Sequence, residues 1–274
     1  MKAALPHATW RLLSTGLSDG ASNMAVDEAI MRAVAEGGSP PTLRFYGWQP
    51  PCVSVGYAQP LHEVDLDMCR RRGYAWVRRP TGGRAVLHID ELTYSVVAPH
   101  GEPRVAGDIL TSYRRLSLGL VAGLRSLGCD VHQAGLLDAG HGDESAACFD
   151  MPSHYEVTAL GRKLVGSAQV RRRGVVLQHG ALPLTGDVSR LADALALPEL
   201  DRERLRGKLR QKAVALDEAL GRAASFDEAA EALAGGFAEA LNLTLEPGAL
   251  FDEERAEVDR LRSWYSGDEW TFSR

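Results

Sequence analysis

The chain has 274 residues, 45% of them hydrophobic and 24% charged, with a net charge of −5. That is the balance of an ordinary globular protein, and the negative charge argues against a nucleic-acid binder that works by global charge, although a local basic patch stays open. The opening MKAALPHATW has no signal-peptide core, and no apolar run nears the roughly 18 residues of a membrane span, so the expectation is a cytoplasmic chain with no membrane contact.

A short strand-like start leads to a helical stretch from Ser22 to about Glu36, with Met24, Met31 and Val34 near one face and Gly37-Gly38 and Pro40-Pro41 as its stop. Thr42 to Trp48 and Cys52 to Tyr57 read as strands around a Gln49-Pro50-Pro51 turn. A helix is expected over 61–73, then strands over 74–79, 84–88 and 92–98. The clearest helix is 108–128, where Ile109, Tyr113, Leu116, Leu120, Leu124 and Leu127 recur every three or four positions and Gly128 ends the run. Residues 135–147, rich in glycine and alanine, read as a loop. Segments 155–160, 163–171 and 175–184, broken at Gly161-Arg162 and Arg173-Gly174, suggest a three-strand antiparallel meander. From about 188 the pattern turns helical, over 201–213, 225–241 and 252–265, with a short strand possible at 243–247. The order implies an α+β fold in which helices pack on one side of a mixed or antiparallel sheet. At about 100–200 residues per domain the length admits one large domain or two small ones. The helical part from 188 carries too little apolar surface to stand alone, so 1–274 is expected to be one domain without a separate accessory domain.

Cys52, Cys69, Cys129 and Cys148 are far apart with no C-x-x-C pair, which implies reduced thiols and no zinc or other metal site. Cys52 and Cys129 read as packing residues and Cys69 gives no functional signal. Cys148 is different: it falls between the Gly/Ala loop and Pro152, in CFDMPSHYEV, on a loop held against a strand. Position alone also allows a buried loop thiol. Arg78 to His88, RRPTGGRAVLH, places two glycines between strands, where backbone can approach a ligand closely and the arginines supply forked donors for a phosphate or carboxylate. It lacks the spacing of a P-loop, and it also fits a plain hairpin with solvated arginines. Gly161 to Gln169, GRKLVGSAQ, opens a strand with Lys163 and continues with Gly166, Ser167 and Ala168, whose missing side chains leave room for an apolar substrate. The bland reading of Lys163 is an exposed lysine at a turn.

Taken together, Arg78–His88, Gly161–Gln169 and Gln178-His179-Gly180 resemble the lipoate–protein ligase A and octanoyltransferase family, with its biotin/lipoate attachment fold. LRFYGWQPPCVSVGY (43–57) and WYSGDEW (264–270) are similar to it as well, so the resemblance spans nearly the whole chain. Within the family, ACFDMPSHYEV matches the position where a cysteine-dependent octanoyltransferase group carries its nucleophile. Arg84 stands where the ligases show a third glycine, and nothing after Trp270 resembles the accessory domain many ligases use.

The resemblance implies an acyltransferase that takes octanoyl from an acyl carrier protein onto Cys148 and passes it to a lysine of a lipoyl domain or glycine-cleavage H protein. Lys163 would favour the Cys148 thiolate. Arg79, Thr81, Gly82, Gly83, Arg84, Ala85, His88, Gly166, Ser167, Ala168 and His179 are the implied substrate contacts. Of these, Gly82, Gly83, Gly166 and Ala168 would lie along the acyl slot, and His88 and His179 would close its ends. No cofactor is expected; ATP and magnesium enter only if the chain is instead an ATP-dependent lipoate ligase. An octanoyl amidotransferase between lipoyl domains and a catalytically silent binding module are the other readings. Arg70 to Arg72 and Arg171 to Arg173 are either solvated faces or contacts for acidic carrier proteins.

Overall fold

The structure is a computed structural model describing residues 5–133 and 157–273. The expected loop at 135–147 lies outside the described residues. The chain opens on β1 (Ala8–Ser18), passes into α1 (Gly20–Ala35) and returns as β2 (Thr42–Trp48), parallel to β1. Asp19 starts α1 by accepting from the Ser22 N–H at 2.8 Å, satisfying one of the donors a helix leaves unpaired. Three strands, β3 (Cys52–Val55), β4 (Ala75–Arg78) and β5 (Val86–His88), form a small sheet in the order β4-β3-β5, with α2 (Leu66–Arg72) between the first two in sequence. Next come β6 (Glu91–Pro99), α3 (Ile109–Ser126), β7 (Val131–Gln133), β8 (Val157–Ala159), β9 (Arg162–Arg172) and β10 (Val175–Pro183). The remainder supplies a 3-10 turn at Val188–Ala194, α4 (Glu199–Lys212), α5 (Leu216–Leu220), α6 (Phe226–Leu241), β11 (Leu243–Pro247), α7 (Asp252–Ser266) and α8 (Asp268–Thr271).

The large sheet runs β11-β1-β2-β6-β10-β9-β8-β7. It is mixed: β1 pairs in parallel with β2 and β11, and the other pairs are antiparallel. The meander β8-β9-β10 is present as expected. Its two turns have both central residues at positive φ, Leu160 and Gly161 at 51° and 72°, Arg173 and Gly174 at 51° and 74°. That geometry matches the twist of a two-residue hairpin. The first turn sits one residue earlier than the sequence suggested.

Successive strand residues point to opposite faces, and the two faces have different covers. Tyr94, Val96 and Val176 belong to a core with Leu120, Leu124, Leu233 and Phe237 of α3 and α6. Val97, Val175 and Leu177 pack instead on Val26, Ile30 and Val34 of α1, and α7 lies over α1 with Leu261 and Tyr265 buried. Helices therefore cover both faces of the sheet, not one. On the first face α3 and α6 approach closely enough that a Cβ on Gly236 would lie 2.1 Å from the Gly123 nitrogen.

The expected helix over 61–73 is a 3-10 turn at Leu61–Glu63 followed by α2. Val64 bridges to Leu195 and the Asp65 N–H donates to Ala194. These tertiary pairings hold 64–65 extended before Asp65 caps a new helix at Met68. Among the described residues no helix is long and apolar enough to cross a membrane.

Candidate active site

The α1-side face of the large sheet meets the small sheet across a narrow cleft. Its wall on β9 and β10 is nearly bare: Ala181 faces Gly166 and His179 faces Ala168 across the ladder. Met24, Tyr46, Trp48 and Val86 add apolar surface, and Ser54, Arg79, His88 and Thr93 bring the polar groups. Gly180 is held small by its other side. A Cβ there would lie 2.6 Å from both Tyr94 Cε1 and Ser167 Oγ, because the Tyr94 hydroxyl reaches over it to Ser167 at 2.7 Å.

Asp27, fully buried on α1, ties that helix to the cleft floor. Its carboxylate accepts from Arg44 Nη1 at 2.7 Å, Ser95 Oγ at 2.8 Å and Tyr46 OH at 3.1 Å, and lies 3.5 Å from His179 Nδ1. Burial by itself would raise this carboxyl, but the Arg44 guanidinium and His179 outweigh it and hold the group below the usual carboxylate range. Burial pushes His179 down, Asp27 only partly offsetting it, so the ring is neutral at pH 7. With Nδ1–H toward Asp27, Nε2 accepts from the Thr81 hydroxyl at 2.7 Å.

Thr81 belongs to the Gly82-Gly83 turn, which is fixed from several sides. Arg79 Nη2 donates to the carbonyls of Gly82 and Arg84, each at 2.8 Å, and Nη1 to Ser54 O at 3.0 Å. The backbone of Gly56 lies against the turn, and a Cβ on Gly56 would sit 2.0 Å from Gly83 O. Gly83 has φ of 94°, a conformation that favours glycine. Arg78 is buried beneath, donating to the carbonyls of Gly56, Gln59 and Thr271, while Trp270 Nε1 donates back to Arg78 O at 2.8 Å. The C-terminal aromatic segment noticed in the sequence thus braces this turn.

Of the residues singled out by sequence, Arg79, His88, Gly166, Ser167, Ala168 and His179 line the cleft. Thr81 stands one hydrogen bond behind it, and Gly82, Gly83, Arg84 and Ala85 lie beside it in the turn. Arg79 directs its fork at its own turn's carbonyls, and Arg84 pairs with Glu63 at 3.5 Å. Lys163 is not an exposed turn lysine. It is 5% exposed on β9, three residues before the bare wall, and does not line the cleft among the described residues. Cys148 lies outside the described residues.

The three described cysteines are buried, and burial raises each thiol, Cys69 to about 11. Arg171 bonds Gln169, Ser112 and the carbonyls of Val105 and Asp108, which makes it a brace between β9 and the start of α3. Arg70 and Arg72 pair with Asp67 and Asp193, and Arg172 lies over the Tyr57 ring at 4.9 Å. Met24, Tyr46, Trp48, Ser54, Thr93, Asp27 and Glu91 were not foreseen. An acidic residue inside the Met24-to-Val34 helical face was the available signal for Asp27.

Residues 19–238 match the lipoyl protein ligase A/B catalytic domain. The chain belongs to that family. Within the lipoyl ligase A/B family, the chain is 51% identical to the octanoyltransferase LipM of Kyrpidia tusciae, over 97% of this chain and 99% of that one. It is 48% identical to the octanoyltransferase LipM of Moorella thermoacetica, over 98% and 100%. Among solved structures it resembles a bipartite lipoate protein ligase from an archaeal lipoylation system of Thermoplasma acidophilum, with a TM-score of 0.81, 29% identity and 97% of each chain covered. A lipoate-protein ligase A bound with ATP gives a TM-score of 0.77 and 29% identity, over 97% of this chain and 98% of that one. The α+β fold with its mixed sheet is the one these ligases share.

Proposed function

We propose that the chain, as one cytoplasmic catalytic domain, moves octanoyl from an acyl carrier protein to a specific lysine of a lipoyl domain or glycine-cleavage H protein, through a thioester on Cys148. The observation that carries this reading is the nearly full-length similarity, at 51% identity, to an octanoyltransferase. An apolar slot walled by Gly166, Ala168 and Ala181 suits a straight acyl chain. The raised, buried thiols of Cys52, Cys69 and Cys129 make poor nucleophiles, which leaves Cys148.

In the first step the Cys148 thiolate attacks the octanoyl carbonyl, the carrier's carbon–sulfur bond breaks, and the carrier sulfur leaves and takes a proton from solvent. In the second, the acceptor lysine's neutral amine attacks the acyl-enzyme, the new amide forms, Cys148 departs as thiolate and the amine sheds one proton. Splitting the transfer avoids seating two carrier proteins at one site together. Lys163 is the cation assigned to hold Cys148 ionised.

Mixing the protein with octanoyl carrier protein and a lipoyl domain, without ATP or magnesium, transfers octanoyl, read by intact mass. The likeness to an ATP-bound ligase supports a second reading as an ATP-dependent lipoate ligase. Attachment of free lipoate only with ATP and magnesium, with octanoyl carrier protein inert, would establish that reading instead. An octanoylated lipoyl domain serving as the sole donor would make the chain an amidotransferase.

Lys163→Ala shifts the pH dependence of iodoacetamide alkylation at Cys148 to higher pH and slows acylation at neutral pH. Raising the pH recovers part of the lost rate, and Lys163→Arg falls between. Superimposable alkylation profiles in the three proteins would remove Lys163 from the thiolate role.

A further inference from the structure

Side chains from four strands and the Gly-Gly turn form a continuous run of hydrogen bonds. Arginine has only donors, so Arg79 Nη1 donates to Ser54 Oγ at 3.0 Å. Ser54 Oγ lies 2.8 Å from His88 Nε2, and His88 Nδ1 donates to Glu91 Oε1 at 2.8 Å. Thr93 donates to the same carboxylate oxygen and accepts from Trp48 Nε1 at 2.8 Å. The Trp48 ring stacks on the imidazole, 4.0 Å between centroids and 10° from parallel, so the ring has one orientation. Ser54, Arg79, His88, Glu91 and Thr93 are all buried, where such a run is rigid when every member is satisfied.

The far end of this run matters most. The same Arg79 fork that Ser54 accepts from holds the carbonyls of Gly82 and Arg84. Gly82 and Gly83 are exposed, while Arg79 and Val86 on either side of them line the cleft. We propose that Glu91 is a positioning residue for acyl transfer, orienting His88 and through Ser54 the Arg79 fork, and so fixing the Gly82-Gly83 turn beside the cleft. The assignment of a role in transfer rests on the function proposed above; the mechanical coupling from Glu91 to the turn does not.

The test uses the full chain and two measurements. Amide hydrogen exchange over residues 80–86 rises about tenfold or more in Glu91→Ala and in Ser54→Ala, with exchange in α3 and β10 unchanged. Ser54→Ala leaves the His88–Glu91 pair intact, so a similar effect shows that the signal passes through Ser54. The double variant is no worse than either single one, because both cut the same chain. Glu91→Gln keeps an acceptor for His88 Nδ1 and stays near wild type. If Glu91→Ala fails to fold, Glu91→Met, close in volume but without an acceptor for His88 Nδ1, takes its place beside Ser54→Ala and Glu91→Gln.

In the second measurement, the limiting rate of octanoyl transfer falls about tenfold to a hundredfold in the same variants, with KM for the carrier little changed. Exchange raised throughout the molecule, an unaltered turn, or additive effects in the double variant would overturn the proposal and leave these residues as packing. A wild-type protein inert toward octanoyl carrier protein would instead overturn the proposed function, while the exchange measurement still decides the coupling.

Discussion

Replacing Cys148 with alanine abolishes the octanoyl adduct and lowers turnover by about 10⁴-fold or more, the scale expected when a covalent nucleophile is removed. In the wild type a single octanoyl group forms, labile to neutral hydroxylamine, and peptide mapping places it on Cys148. Cys148→Ser yields at most an ester that resists the same treatment. The other three cysteines set the background against which this is read. With its thiol raised to about 11, Cys69 is ionised at pH 7 to roughly one part in 10⁴, and Cys52 is raised further. An adduct mapped to any of those three, or one that survives unchanged in Cys148→Ala, would refute the assignment.

The largest expected loss of stability follows Asp27→Asn. The substitution keeps shape but removes the charge facing Arg44, whose guanidinium is 1% exposed and also lies 3.8 Å from the Tyr46 ring centroid. Leaving one member of a buried pair uncompensated costs about 3–5 kcal/mol. The same pair contributes to the acid limb of stability. Its carboxyl is depressed in the folded state, so the contribution is complete above the unfolded aspartate value of about 3.9 and is lost as pH falls through the lower folded value. Chemical denaturation at neutral pH and across the acid range checks both points. The Asn variant is less stable at pH 7, and its stability falls less steeply below about pH 4. A variant within about 0.5 kcal/mol of wild type at pH 7 would show that Asp27 is not the hub its contacts suggest.

Much of the fold was legible because its signals are local. The period of α3, the glycines after β8 and β9, and the run of strands from Thr42 to Ala98 each declare themselves within a short window. The break at Val64-Asp65 did not, because it is imposed by Leu195 and Ala194 far along the chain. The three-residue β7 is too short to show a period. The site divides the same way. Gly166, Ala168 and His179 were found through motifs, and the cleft does gather them. Asp27 and Glu91 were missed because a carboxylate acquires its meaning from what it faces, here Arg44 and His179 for the first and His88 and Thr93 for the second. Arg79 lines the cleft, and its fork also holds the carbonyls of its own turn, a part that sequence pattern does not carry.

The way the two ends of the chain are joined has a consequence for its biosynthesis. β11 is the outer neighbour of β1, α7 lies over α1, α6 over α3, and Thr271 receives the Arg78 guanidinium. All these late partners are translated after the rest of the sheet has left the ribosome. Until then β1 presents a bare edge, and the glycine face of α3 has nothing against it. A nascent chain stalled before residue 226 therefore displays an unpaired strand edge and two uncovered apolar helix surfaces together, the features that recruit holding chaperones and seed aggregation. Synthesis has to pass α7 and Thr271 before the molecule can protect itself.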